Sequence, residues 1–350
     1  GGDGVTEQAI TDSILRTALE LQRLSAYEEA RADEALRQLT DELRQLLATA
    51  DLSAAGKREV EALIKQADEA IQARYGSIYD MFDAQGLTVH VAERTVEALQ
   101  AGLAGSISLP TAETLASLSR EVMIEGSPLK SWWAKQAEDT AFRFAAQVRQ
   151  GRINNETQEQ IVGRIVGRRG EPGVMDVSRR HARVLVHTAT MSAANEARMA
   201  VYRKNGKFIE GVKWLATLDS HTCKTCGALD GQAWNLEGEK LKGTTMLLRF
   251  PPAHANCRCV MTPVPKSLDS IFGRDDLDDF AASLSRRASS QGPVAGTTTF
   301  ADFLKRQSPE FVEQTLGKKR AEMYLAGKLT LRDLVSGTGR PLTLDELRTR

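Results

Sequence analysis

Apolar residues recur at helical spacing over most of this chain and switch to strict alternation only in a short stretch past its middle. From Thr11 to Ala50 there is neither Gly nor Pro, and Leu36, Leu39, Leu43 and Leu46 recur three, four and three residues apart, the seam of a long helix. Asp51-Leu-Ser53 offers a side-chain cap to a second helix running to Tyr75, after which Gly76, Gly86 and the Gly102 to Gly105 stretch divide shorter amphipathic pieces. Pro110-Thr111 and Ser127-Pro128 open two further helices, since a first-turn Pro forfeits no intrahelical bond. The second of these carries Trp132, Trp133, Phe142 and Phe144. Adjacent Trp residues lie about 100° apart around a helix, so one of them is expected to pack on a neighbouring element or chain, against the plainer reading that both cap the core edge. Asn155-Glu-Thr157 leads into Ile161, Ile165 and Val166, and the run Gly167 to Gly173 then interrupts the chain. A long helix is predicted from Asp176 to Asn205, closed by Gly206, with Val184, His187, Met191, Ala194 and Met199 among its less polar positions.

Beyond Gly206 the period falls to two: Val212, Trp214 and Ala216 alternate with Lys213, Leu215 and Thr217. Gln232-Ala-Trp234, Met246 to Phe250 and Val260 to Val264 read as further short strands. Residues 266–299, rich in Ser, Asp, Gly and Arg, read as a linker, and Phe300 to Arg350 returns to short helices broken at Gly317, Gly327 and Gly337 to Pro341. No internal repeat is visible. The expected class is α+β and predominantly α-helical. It comprises an N-terminal helical arm (1–108), a bundle ending in the long helix (109–206), a β-rich minidomain (207–265), the linker (266–299) and a helical C-terminal tail (300–350).

Charge narrows the function classes. Lys plus Arg and Asp plus Glu stand at 46 each, which removes any global electrostatic case for a polyanionic partner and leaves local patches. One such patch runs from Arg143 to Arg183, where Arg164, Arg168, Arg169, Arg179 and Arg180 are candidate contacts to DNA phosphates or an acidic partner, against the plainer reading of a solvated helix face. No run approaches the roughly 20 apolar residues of a membrane helix, and the start lacks signal-peptide regions, so the chain reads as soluble and unexported. It begins Gly-Gly-Asp-Gly without a Met, so a tag scar, processing or an upstream segment is expected, with the true N-terminus missing.

All four cysteines fall in one region: Cys223-Lys-Thr-Cys226, then Cys257-Arg-Cys259, with His254 just before. A Cys-x-x-Cys turn presents two thiolates to one ion, and zinc completes its tetrahedron with two S or N ligands from a distant segment. In an extended segment Cys257 and Cys259 point to the same side. If the chain turns at Asn256 instead, His254 and Cys257 form the pair. Four of these five residues are therefore the predicted ligands, the four thiolates first, with His254 as alternative fourth ligand or as a donor to one of them. Disulfides fit an unexported chain poorly, and a redox Cys-x-x-Cys belongs at the helix start of a βαβ unit that this sequence does not contain. Such an ion is expected to be structural, since the ligand count closes the site. Asp219-Ser-His221 reads as a turn that orients the first Cys pair. The enzymatic alternative is a metal-dependent nuclease using His254 and Asn256, although no matching second His follows the motif.

These residues also resemble a known family. The pattern Trp214-x-x-Thr217-x-Asp219-x-x-Thr222-Cys223-x-x-Cys226-x-x-Leu229-Asp230-Gly231, followed by Pro252-x-His254-x-x-Cys257-Arg258-Cys259 and Pro263, is similar to the signature of phage Mu protein F-like head morphogenesis proteins. The likeness extends upstream to Glu125-Gly126, Trp132-Trp133, Val148-Arg149-x-Gly151, Asn195-Glu-Ala-Arg198 and Tyr202, and downstream to Phe300-Ala-Asp-Phe303-Leu304 and Leu342-Thr-Leu344. In the long helix this chain has His187-Thr188-Ala189 where many relatives carry Arg-Thr-Glu. The resemblance implies a low-copy minor head protein inside the virion of a tailed bacteriophage, present in the host cytoplasm during assembly. Its implied partners are the portal protein, the major capsid or scaffold protein and packaged DNA, in an oligomeric setting and without a membrane. Its implied role is assistance in procapsid assembly, DNA packaging or ejection.

Overall fold

A computed structural model describes residues 6–50, 52, 55–103, 106–266 and 286–348. Among these the fold is predominantly helical with small antiparallel sheets, and no helix is long and apolar enough to cross a membrane. In chain order the larger helices are α1 (Thr6–Thr49), α2 (Lys57–Met81), α3 (Ala84–Gly102), α4 (Ala112–Arg120), α5 (Leu129–Ile153), α6 (Gln158–Val166) and α7 (Val174–Lys204). The chain divides into two compact units, each gathered from separate stretches: residues 21–86 with 119–192, and residues 1–20, 87–118 and 193–350.

In the first unit, the apolar stripe of α1 buries Leu36, Leu39, Leu43 and Leu47 completely. Leu46, expected in that seam, stays half-exposed, because a straight helix of 3.6 residues per turn carries the stripe to the next position. Helix α2 starts later than predicted. Its N-cap is Gly56, whose N–H donates to the Glu59 carboxylate at 2.7 Å, whereas positions 51 and 53 of the expected cap lie outside the described residues. It also runs through Gly76 to Met81. The hydroxyls of Tyr75, Thr140 and Ser178 form a buried chain, 2.9 Å per step, that joins α2, α5 and α7. On α5, Trp133 is buried, while Trp132 donates from Nε1 to the Ile124 carbonyl at 2.9 Å. That carbonyl belongs to the two-residue strand β1 (Met123–Ile124), which pairs with β2 (Ser127–Pro128), so the two Trp residues do pack on different elements.

A polar seam joins α1 to α7 in the same unit. Asp33 accepts from Arg179 Nε and Nη2 at 2.9 and 2.8 Å, and Arg37 and Arg183 stand within 2.9 and 3.6 Å of it. One turn away, Ser25 donates to Glu29 and sits 3.2 Å from His187 Nδ1. The contact with Arg179 holds the Asp33 carboxyl below its usual range. Its folded-state pKa is thus lower than its unfolded one, and the stabilisation is complete above the unfolded value and lost as pH falls through the folded one. Asp33→Asn is expected to lower stability by about 1–3 kcal/mol at neutral pH. Denaturant titrations of both proteins should show that difference shrinking below about pH 4.

The second unit is built on a three-stranded sheet in the order β4-β3-β5, with β3 at Ile209–Leu215, β4 at Ala233–Asn235 and β5 at Val260–Pro265, all antiparallel. Trp214 and Trp234 are wholly buried. The outer edge of β5 is satisfied by α7: Asn195 donates to the Cys259 carbonyl at 3.3 Å and accepts from Met261 N–H at 3.4 Å, and the Tyr202 hydroxyl donates to the Met261 carbonyl at 3.1 Å. Arg198, between them on that face, is fully buried with Nε and Nη2 unpaired, and burial pulls its pKa down. The strand expected over Met246 to Phe250 is not formed. Residues 239–241 occupy the outer side of β4, and the later segment is held through side chains, with Trp234 Nε1 donating to the Met246 carbonyl at 3.0 Å.

The described part of the expected linker is folded. Arg286–Arg287 (β6) pairs with Val294–Ala295 (β7), and Ser290 N–H donates to the Leu218 carbonyl. The C-terminal segments α9 (Phe300–Leu304), α10 (Pro309–Leu316), α11 (Lys318–Leu325) and α12 (Leu344–Arg348) gather a core of Phe300, Phe303, Leu304, Val312, Leu316 and Leu334 around Leu218. Residues 300–348 are therefore packed within this unit, not strung out as a tail.

Candidate metal centre

The turn after β3 delivers the first half of the centre. Asp219 accepts from His221 N–H at 2.9 Å, and the chain enters the six-residue helix α8 (Lys224–Leu229) with Cys223 as its N-cap. Cys223 Sγ accepts from Cys226 N–H at 3.4 Å, so the same hydrogen bond that starts the helix places both sulfurs on one side. Gly227 then passes against Phe300: a Cβ there would lie 2.6 Å from the Phe300 ring. The second half comes from the segment before β5. Asn256 takes a positive φ of 60°, and Cys257 N–H donates back to the His254 carbonyl at 3.2 Å, so the chain turns between His254 and Cys257.

The two halves meet. His254 Nε2 stands 3.2 Å from Cys223 Sγ and 3.1 Å from Cys226 Sγ, and Cys226 Sγ lies 3.8 Å from Cys257 Sγ. Donor atoms fall into two groups that share Cys226: Cys223, Cys226 and His254, and Cys226, Cys257 and Cys259, with all atoms of a group within 4.8 Å of one another. A tetrahedral zinc with Zn–S bonds of about 2.3 Å has sulfur–sulfur edges of about 3.8 Å, so the separations suit one small ion. The four cysteines are free thiols. Contact with Cys226, and then with His254, pulls the Cys223 thiol down to about 4. Contact with Cys223, and then with Cys257, pushes the His254 imidazole up to about 11. A thiol that ionises this readily beside an imidazole belongs to a donor set that could hold a cation in place of the protons the two groups share.

The far side of the ring is fixed as well. His254 Nδ1 lies 2.7 Å from the Ala255 carbonyl, which assigns the proton to Nδ1 and leaves the Nε2 lone pair facing the sulfurs. Both ring nitrogens of His254 thus face protein partners. A bidentate clasp ties the halves together outside the donor cluster: Arg258 donates to Asp219 at 2.6 and 2.8 Å. His221 contributes only its backbone, and its side chain is exposed.

Sequence reasoning missed the interaction beneath this cluster. Asp230, the residue that closes α8, has a fully buried side chain and is clasped by Arg287 at 2.8 and 2.9 Å. Asp230 also accepts from Ala216 N–H and Phe300 N–H, both at 2.7 Å, and Arg287 donates to the carbonyls of Thr298 and Ala216. The signal available was an acid in the apolar run Gly227-Ala-Leu-Asp230, since a buried carboxylate needs a cation and hydrogen bonds.

Of the candidate arginines, all in the first unit, Arg164 is bound to Glu156 and Gln147, and Arg179 to Asp33. Arg168, Arg169 and Arg180 are exposed.

Residues 139–262, from the middle of α5 into β5, match the sequence model of the Phage Mu protein F like protein family. This segment is similar to that family over about a third of the chain. The Mu F-like segment contains every donor of the cluster together with Asp219, Arg258 and Asp230, while Arg287 and Phe300 lie beyond it. No curated protein and no solved structure matches the chain.

Removing one partner of a buried ion pair leaves the other charge uncompensated, so Arg287→Ala is expected to lower the stability of the unit by about 3–5 kcal/mol. Replacing both partners, as Asp230→Leu with Arg287→Met, should recover much of that loss. Chemical denaturation of the three variants checks the ordering, and an Arg287→Ala protein as stable as the parent would refute it.

Proposed function

We propose that this chain is a phage head morphogenesis protein, a minor structural component of the virion, whose Mu F-like segment carries a structural zinc ion and docks on the portal. The observation that carries the reading is the convergence of two segments some thirty residues apart on one thiol–imidazole cluster within a segment that matches this family. Cys223, Cys226, His254 and Cys257 are the assigned ligands. His254 Nε2 stands 3.2 and 3.1 Å from the Cys223 and Cys226 sulfurs, and Cys257 joins them through Cys226 Sγ at 3.8 Å, while Cys259 groups with Cys226 and Cys257. The turn at Asn256 favours this set over the four thiolates. Cys259 then packs beside the ion as a buried thiol.

Zinc bound there joins the turn after β3 to the turn before β5 and makes a rigid knob of a small sheet. In small zinc modules such binding supplies on the order of 10–16 kcal/mol of folding free energy. A rigid surface loses little conformational entropy on association, which suits a protein that must seat on a portal ring and stay while the head assembles. The major capsid or scaffold protein and packaged DNA are the further partners within the head. The role is binding, not catalysis.

Elemental analysis of the native protein is expected to return about one zinc per chain by this four-ligand count. Cys223→Ser should lose the metal, melt the sheet region at lower temperature and fail to co-purify with the portal protein. Arg23→Gln, on an exposed surface of the other unit, should retain all three properties. Protein without metal that still folds would remove the zinc; a metal-loaded protein that ignores the portal would remove the docking role alone.

A further inference from the structure

A second site lies apart from the metal centre. Within the first unit, a cleft of about 460 Å³ opens between α5, α6 and the loop that leads into α7. Its polar lining is donor-rich for a specific reason: the acceptors there are already used. Glu156 receives Arg164 on both carboxylate oxygens and Asn154 on one of them. The Gln147 side-chain oxygen accepts from Arg164 at 2.8 Å, and the Gln160 oxygen accepts from Thr157 N–H at 2.7 Å as half of the capping box of α6. Each amide is thereby oriented with its NH2 group left over.

Two guanidinium groups join them. Arg143 is half-buried and makes none of the hydrogen bonds or ion pairs found among the described residues. Arg168 folds back along α6, where Gly163 leaves it room: a Cβ at Gly163 would lie 2.1 Å from Arg168 Nε. Its one side-chain bond is to the Glu159 carbonyl at 3.2 Å, so no carboxylate neutralises it by direct contact. Glu171, exposed at the rim, is the remaining acid of the lining. The amino end of α7 adds nothing, because Asp176 already accepts from Gly173 N–H at 3.0 Å.

We propose that this cleft binds a phosphate group, held by Arg143 and Arg168 with the Gln147 and Gln160 amides. Donors arriving from α5, α6 and the 167–173 loop suit a tetrahedral oxyanion that accepts from several directions. A carboxylate is planar and takes its two best bonds side by side from one guanidinium. The exposed Arg169 is next in chain to Arg168, and Arg180 follows Val177 of the cleft wall by three residues and so shares its face of α7. Cations that continue past the cleft fit a phosphate carried on a nucleic-acid backbone, and the competing source is a free nucleotide or inorganic phosphate.

The test uses the full chain, with fluorescence anisotropy on a labelled single-stranded oligonucleotide and calorimetry with inorganic phosphate and with a mononucleotide. Arg143→Gln removes no hydrogen bond or ion pair found among the described residues and is expected to keep the fold, which circular dichroism checks. It is expected to weaken oligonucleotide binding roughly tenfold and to flatten the dependence of log affinity on log salt by about 0.7. Arg23→Gln removes the same charge elsewhere and should change neither. Zinc content and portal association should stay at parental levels in both variants, which separates this site from the docking role. Binding of phosphate or mononucleotide without the oligonucleotide upholds the site and assigns it to a free ligand. Parental affinity in folded Arg143→Gln and Arg168→Gln proteins overturns the proposal. So does equal loss in Arg143→Gln and Arg23→Gln, or displacement of the oligonucleotide by an acidic peptide but not by phosphate.

Discussion

The buried carboxylate of Asp230 sets the organisation of the unit that carries the metal centre. A charge without solvent must be neutralised and fully hydrogen-bonded, or it titrates away. Here Arg287 supplies the charge, and the backbone at Ala216 and Phe300 supplies the remaining donors. Those contacts dictate where four segments go: the end of β3, the end of α8, residues 286–299 and the start of α9. The hydrophobic core of Phe300, Phe303 and Leu334 around Leu218 is tied to that arrangement, because Phe300 is at once a donor to Asp230 and the ring against which Gly227 packs.

Helix α8 connects this ion pair to the cysteine cluster in six residues. Its N-cap is Cys223 and its C-cap is Asp230, so one end faces the thiols while the other is locked by Arg287. A helix this short has little stability of its own. What holds it is tertiary: Thr225 donates to the Gly339 carbonyl at 2.8 Å, and Asp219 with Arg258 closes the cluster from the outer side. The geometry of the donors is thus imposed from both flanks, which is the condition for a site that grips an ion without rearranging.

Much of this was legible in the residue order, and the divisions are instructive. That Cys223, Cys226, His254, Cys257 and Cys259 gather in one cluster was legible because soft donors are scarce in the chain and their spacing is that of a metal-binding pair of turns. The turn at Asn256, which brings His254 up to Cys223 and Cys226, is a backbone property that residue types leave open. Arg287 was invisible for a different reason: it reaches Asp230 across 57 residues, from a stretch whose Ser, Gly and Asp content reads as linker. The alternation of β3 showed plainly, yet Met246 to Phe250 carried the same apolar signal without a strand, because residues 239–241 take the outer side of β4. On α1 the seam was right in kind and one residue off at its end, where Leu47 replaces Leu46.

The arginine-rich stretch shows how a local excess of one charge divides into structural and available parts. Arg164 and Arg179 have carboxylate partners and amide or helix contacts that fix them, so they act as scaffolding for α6 and for the seam between α1 and α7. Composition alone treats them as equal to Arg143 and Arg168, which face no bound carboxylate. The distinction follows from acceptors: Asp33 and Glu156 are already occupied by the guanidinium groups bound to them, and the cations without a carboxylate contact are those a ligand can use. By that reasoning the binding capacity of the basic stretch resides in its unpaired members. The paired ones determine the shape of the cleft in which those members stand.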